Sequence, residues 1–147
     1  MVLNLSDVKH SIKDKVTGPL DFRFLNEVWP EFDISNDAGI LPTTEALVRI
    51  IWNRLKNDLP LTSLRLYESP TLWADYHGKK MEALLTVQTH FNAAHRLAKD
   101  EISISENKKI YGKCARINGH GHNYFLDVTV RGDIAVSYTH LTLPTIE

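Results

Sequence analysis

Two runs of alternating residues, one ending and one beginning in histidine, constrain this chain more than anything else in its 147 residues. On an extended backbone, side chains two apart share a face. His120, His122, Tyr124, Leu126, Val128 and Val130 therefore line one face of a strand, and Val87, Phe91, Ala93 and His95 line one face of an earlier one. Both rows read as core-facing rows that finish in imidazole at the mouth of a sheet. Hairpin pairing of the two would bring His95 beside His120 and His122, with Gly121 letting the strand bend around a shared ion. Three neutral imidazoles suit zinc and leave a fourth position open, the arrangement of a catalytic rather than a structural site. The plainer alternative is that Gly119 and Gly121 mark a turn and the histidines are solvated.

The rest of the chain supplies the frame for such a hairpin. Leu64 to Glu68, Leu72 to His77, Leu84 to His95 and Tyr124 to Arg131 are short stretches rich in β-branched, aromatic and leucine residues, and read as four antiparallel strands. Ahead of them, Asn4 to Val16 places Val8, Ile12 and Val16 on one helical face behind a cap at Ser6. A second helix starts at Thr43 or Thr44 with Glu45 in its first turn, carries Leu47, Ile51, Leu55 and Leu59 as its apolar stripe, and ends at Pro60. Between the helices, Thr17 to Thr43 is punctuated by Gly18, Pro19, Pro30, Gly39 and Pro42 and reads as a long ordered loop. The order predicts an α+β layer, with both helices covering one face of a four-stranded antiparallel sheet.

Composition excludes several function classes. With 17 basic against 18 acidic side chains, neither nucleic acid nor an anionic membrane is an expected partner. The apolar stretches are too short to span a bilayer, and the N-terminus lacks the order of a signal peptide, so a soluble, cytoplasmic protein is expected. The single cysteine, Cys114, cannot form an internal disulfide. It lies six residues before His120, where a thiol beside a dication loses its proton more easily and can act as base or nucleophile. Glu68 ends the row begun by Leu64 and Leu66, so its carboxylate needs a partner, either a local cation such as Arg65 or Lys79 or a ligand with an amidine-like edge. His10, His77, His90 and His140 have no convergent context, and Trp29, Trp52 and Trp73 read as packing. The last residues, 135–147, break the pattern of the chain. They resemble a translated sequencing adapter, and no function is taken from them.

Three segments carry a resemblance to a known family. Phe91-x-Ala-Ala-His95-Arg96-Leu97, Glu106-Asn107 through Tyr111-Gly112-Lys113-Cys114, and Asn118-Gly-His-Gly-His-Asn-Tyr124 resemble the N-terminal half of 6-pyruvoyltetrahydropterin synthase and of 6-carboxytetrahydropterin synthase of queuosine biosynthesis. The first 80 residues match more loosely: Met1 to Asp7, Leu20-Asp21, Pro42-Thr-Thr-Glu45 and Leu66-Tyr-Glu68 resemble the family's C-terminal half. The halves stand in reversed order. Residues 1–80 are thus expected to end one repeat and 81–134 to begin the next of a tandem protein, with a circular permutant as the alternative.

The resemblance implies the tunnelling fold, a four-stranded antiparallel sheet with two helices, in which subunits close barrels by pairing sheet edges and form their sites between them. It implies Zn2+ held by His95, His120 and His122, and Cys114 as the catalytic thiol. Glu68 would grip the pterin's amino-pyrimidine edge, with Thr43, Thr44 and Glu45 near the same pocket. The implied substrate is 7,8-dihydroneopterin triphosphate, and the product either the pyruvoyl or the carboxy pterin. Asp21 matches the first member of the family's catalytic Asp-His pair, but Phe22 follows it, which puts the proton relay of this repeat in doubt. Two rivals remain: a zinc-stabilised repeat without catalysis, and a different zinc enzyme of the same fold acting on a purine or pterin.

Overall fold

The computed structural model describes residues 4–33, 35, 39–79 and 81–134, and the tail singled out above lies outside them. Thr43, in an extended conformation, accepts a hydrogen bond from the Ala46 amide at 3.3 Å and opens α4 (Thr44–Leu55), the helix on which the larger part of the chain is built. Its buried face is wider than the expected stripe: Thr44, Ala46, Val48, Ile50, Ile51 and Leu55 are buried, and Leu47 only half-buried. The helix stops at Leu55, before Pro60, and Leu59 is buried in the turn that follows.

The four strands fall where the alternation puts them. They are β1 (Leu64–Ser69), β2 (Leu72–Tyr76), β3 (Glu82–His95) and β4 (His120–Asp133), in the order β1-β2-β3-β4. β1 pairs antiparallel with β2 and β2 with β3, Leu64 opposite Tyr76 and Leu72 opposite Val87. A bulge between Tyr67 and Ser69 shifts the β1 register around Glu68. β4 begins four residues earlier than its apolar content suggests, so that His120 and His122 lie on the strand itself.

The chain divides into two compact units, residues 1–87 with 129–147, and residues 88–128. In the first, α4 packs on β1 and β2. Trp29, Phe32, Ile40, Val48, Leu55, Ala74 and Tyr76 form its core, with Phe32 fully buried. Arg65 straps the outside of the sheet by a bidentate pair with the buried Asp75 at 2.7 and 2.9 Å. Gly78 needs its φ of +74°, and a Cβ there would lie 2.5 Å from the Trp52 ring.

Two expectations for this unit need correction. The first helix is capped by Asn4, whose side chain accepts from the Ser6 amide, and not by Ser6. It runs as α1 (Leu5–Ile12), widens into a π turn over Lys13–Thr17, and closes with α2 (Gly18–Leu20). Pro19 explains the widening, since it has no N–H to offer the Lys15 carbonyl. The expected long loop instead holds α2, α3 (Leu25–Val28) and a 3-10 turn at Pro30–Phe32, and it contributes Trp29, Phe32 and Ile40 to the core. Residues 34 and 36–38 of that stretch lie outside the description.

The second unit holds an element that periodicity missed, α5 (Ile104–Tyr111) with a 3-10 turn at Gly112–Ala115. A reciprocal capping box starts it: the Glu106 amide donates to Ser103 Oγ at 3.2 Å, and the Ser103 amide to Glu106 Oε2 at 3.0 Å. The Ser103 hydroxyl, which donates to the same carboxylate oxygen at 2.6 Å, and then the Ser103 amide hold the Glu106 carboxyl below its ordinary range. Asn107, buried, ties the preceding loop down by accepting from the Lys99 amide and donating to the Lys99, Ile102 and Ser103 carbonyls. Among the described residues of both units, no helix is long and apolar enough to cross a membrane.

Candidate metal centre

The centre lies wholly within residues 88–128 and follows from strand register. Gln88 Nε2 donates to Asp127 at 2.8 Å, the Phe91 and Tyr124 rings stack at 5.1 Å, and the His95 and His120 rings meet edge to face at 4.6 Å. These contacts step through one unshifted antiparallel register, in which opposed residues share a face. The same register sets Ala93 opposite His122, where a methyl group leaves room for the imidazole. The Phe91–Tyr124 stack floors the cluster, with the His122 ring edge-on to Tyr124 at 5.8 Å.

The three imidazoles converge as expected. Nε2 of His95 lies 3.1 Å from Nε2 of His120 and 3.2 Å from Nε2 of His122. One ligand atom from each lies within 4.8 Å of the others, and the three could hold a metal ion. Burial, then the neighbouring His122 and His95 and the Arg116 charge, push the His120 pKa down. That keeps the ring neutral, with a lone pair available to a cation. Nδ1 of His120 is buried and has no hydrogen-bond partner among the described residues.

Cys114 joins the cluster from the 3-10 turn, its Sγ 3.7 Å from Nε2 of His120. The turn is held by the Leu97 amide, which donates to the Cys114 carbonyl at 2.9 Å and so ties the end of β3 to the thiol. The glycine that matters here is Gly119, and not Gly121. Gly119 has φ +66°, and a Cβ on it would lie 2.6 Å from the His95 carbonyl oxygen, whereas a Cβ on Gly121 would meet only ordinary contact at 3.9 Å. Gly119 thus lets the turn before β4 pass against His95 at the end of β3.

The apolar rows do not face a core. Leu126, Val128 and Val130 are 46%, 49% and 56% exposed, and Phe91 is 50% exposed. Alternation reports that a face is apolar and leaves open what covers it; α4 lies on β1 and β2.

The remaining candidates belong to the other unit. Thr44, buried, donates its hydroxyl to Glu68 Oε2, which gives that carboxylate a partner other than Arg65, whose own partner is Asp75. Thr43 and Glu45 line a cavity of about 200 Å³ with Arg131 and Asp133. Asp21 is exposed at the end of α2, and Phe22 behind it is fully exposed with φ +55°, a costly conformation for a bulky side chain. His10, His77 and His90 are exposed; Trp29 and Trp73 are buried, and Trp52 packs on the core. Sequence reading missed the Asn107 lock and the Ser103–Glu106 box, although Ser followed three residues later by Glu is a legible helix start.

The family model for 6-pyruvoyl tetrahydropterin synthase matches residues 1–79 and 84–141. A stretch of 51 residues is 53% identical to the 6-pyruvoyl tetrahydrobiopterin synthase of Dictyostelium discoideum, covering 35% of this chain and 36% of that protein. The human protein of the same name is 46% identical over 57 residues, 39% of each chain. The 6-carboxy-5,6,7,8-tetrahydropterin synthase of Haemophilus influenzae is 33% identical over 91 residues, 52% of this chain and 64% of that one. The chain thus spans less than two thirds of the length of each of these relatives. No solved structure gives a significant match.

Proposed function

The chain belongs to the 6-pyruvoyl tetrahydropterin synthase family, and on that footing we propose that it is a zinc-dependent lyase acting on 7,8-dihydroneopterin triphosphate, with the 6-pyruvoyl or the 6-carboxy pterin as product. The observation that carries this reading is a thiol 3.7 Å from one imidazole of a convergent three-histidine cluster. His95, His120 and His122 hold the zinc. Bound there, it supplies a Lewis acid for the oxygens of the substrate side chain. Cys114 Sγ, as thiolate, accepts the proton from the carbon beside those oxygens. Glu68 accepts hydrogen bonds from the pterin's amino-pyrimidine edge; the Thr44 hydroxyl orients the carboxylate and leaves Oε1 open. Thr43 and Glu45, on either side of Thr44 in the chain, lie near the pterin, and Asp21 contributes to the proton relay.

Residues 1–80 are the C-terminal half of one repeat and 81–134 the N-terminal half of the next, a reading supported by the two stretches of the family match. The protein is a cytoplasmic homo-oligomer with sites shared between subunits. The exposed apolar side chains of Phe91, Leu126 and Val128 favour such a partner.

Phe22, where the family's pattern has histidine, favours a second reading, a repeat that binds zinc without turning over. Cys114→Ala separates the two. The synthase reading expects turnover to vanish with zinc retained, and turnover that survives the change would sink it. A wild-type chain that holds zinc and never turns over establishes the scaffold.

A further inference from the structure

Behind the turn that carries Cys114 lies a cavity of about 490 Å³, walled by Lys108, Lys113 and Arg116 over the apolar side chains of Ile104 and Ile117. All of it belongs to residues 88–128, and among the described residues no carboxylate lines it. The acidic groups of this unit are engaged elsewhere where their bonds are defined: Glu106 is bound in the Ser103 cap, and Asp127 accepts from Gln88.

Cations at the end of a helix have an ordinary explanation, since they offset the negative end of the helix dipole. That accounts for Lys108 and Lys109 in the last turn of α5. It does not account for Lys113 and Arg116, which lie past the helix end. Gly112, at φ +56°, breaks the helix and turns the chain so that Lys113 and Arg116 face the same cavity as Lys108. Three cations around one concave surface repel one another, and that arrangement is relieved by an anion carrying several charges.

We infer that this cavity is a polyphosphate subsite that takes the triphosphate tail of the substrate, gripped by Lys108, Lys113 and Arg116. The assignment rests on the pterin triphosphate reading above and adds to it where the tail is held. Cys114 stands between Lys113 and Ala115, so one turn presents the thiol to the histidine cluster and the cations to the cavity. A tail held here would be positioned by the same turn that places the reacting thiol, which limits the freedom of the substrate at the reacting carbon.

The test is isothermal titration of the full chain with inorganic tripolyphosphate, with bound zinc measured before and after, because the probe also chelates metal. Wild type is expected to bind, and the double variant Lys108→Glu/Arg116→Glu to bind at least about tenfold more weakly. Lys109→Glu, an equal loss of charge per site on the same helix but outside the cavity, is expected to leave affinity unchanged. If Lys109→Glu weakens binding as much, or the double variant binds like wild type, the subsite is overturned. Lys108→Gln/Arg116→Gln repeats the measurement should the charge reversal perturb folding.

Competition identifies the source of the anion. Dihydroneopterin triphosphate displacing tripolyphosphate, while dihydroneopterin without phosphate does not, supports the tail assignment; both phosphates binding together overturns it. A chain that binds tripolyphosphate but not the pterin triphosphate overturns the pterin reading while keeping the anion site.

Discussion

Residues 1–87 with 129–134 and residues 88–128 are stabilised by different physics. In the first unit a contiguous apolar core lies between α4 and the sheet, with Phe32 at 0% and Val48 at 1% exposure. In the second, only Asn107 and Ala115 are buried among the described residues. Its order comes from a buried amide locking a loop, a capping box, one turn tied to β3 by a backbone bond, and three imidazoles that converge without a core beneath them. A unit that buries little apolar surface gains proportionally more from anything that binds its folded form. The candidate metal centre thus lies in the part of the chain least able to hold itself together by packing.

The sharpest way to break this comparison is at Phe32. Phe32→Ala should cost the core unit about 3–5 kcal/mol, measured by urea unfolding; a loss under about 1 kcal/mol would mean that the core is not where stability resides. Gly119→Ala should act in the other unit, on the centre rather than on global stability. A β-carbon has no room beside the His95 carbonyl, so bound zinc should fall sharply while the unfolding midpoint of the core unit holds; normal zinc content would dismiss the close approach as unimportant. His120→Ala, or removal of metal by chelation, should raise hydrogen exchange in residues 88–128 and leave residues 44–76 protected. Uniform loss of protection in both would erase the distinction between the units.

Smaller effects come from the polar locks. Asn107→Ala leaves the Lys99 amide without its acceptor and should cost about 1–3 kcal/mol, seen as faster exchange in the loop before α5. Ser103→Ala should cost about 1 kcal/mol, confined to the first turn of α5. The pH dependence of that cap has a definite sign. The Glu106 carboxyl is held low in the folded chain, so its contribution is present above the ordinary glutamate range and is lost as pH falls through the lowered value. Fraying of α5 on acidification, abolished in Ser103→Ala, would confirm it; fraying unchanged by the substitution would place its cause elsewhere.

Much of the fold was legible because strands announce themselves by alternation. Leu64, Leu72 and the row ending at His95 fell within one or two residues of the observed strands, and the parity of His95, His120 and His122 was enough to place three rings together. What alternation could not report is occupancy of the far side. The row Leu126, Val128 and Val130 is apolar in sequence and exposed in the structure, since period two distinguishes one face from the other and says nothing about what covers either. Helix α5 escaped because its apolar face is weak and its start is written in a capping box rather than in periodicity. The cap at Asn4, two residues before the expected Ser6, shows the limit of boundary reading where several capping residues are adjacent.

The amino-acid sequence by itself determined the four strands, the antiparallel pairing, the three-histidine convergence and the family, because each depends on local period or on motif spacing that any folded form must respect. Tertiary structure alone decided that Thr44 holds Glu68, that Gly119 rather than Gly121 admits the close approach to His95, and that Lys108, Lys113 and Arg116 wall one cavity. Those depend on turns whose dihedral angles bring residues together through space, and a linear pattern does not encode a turn's direction.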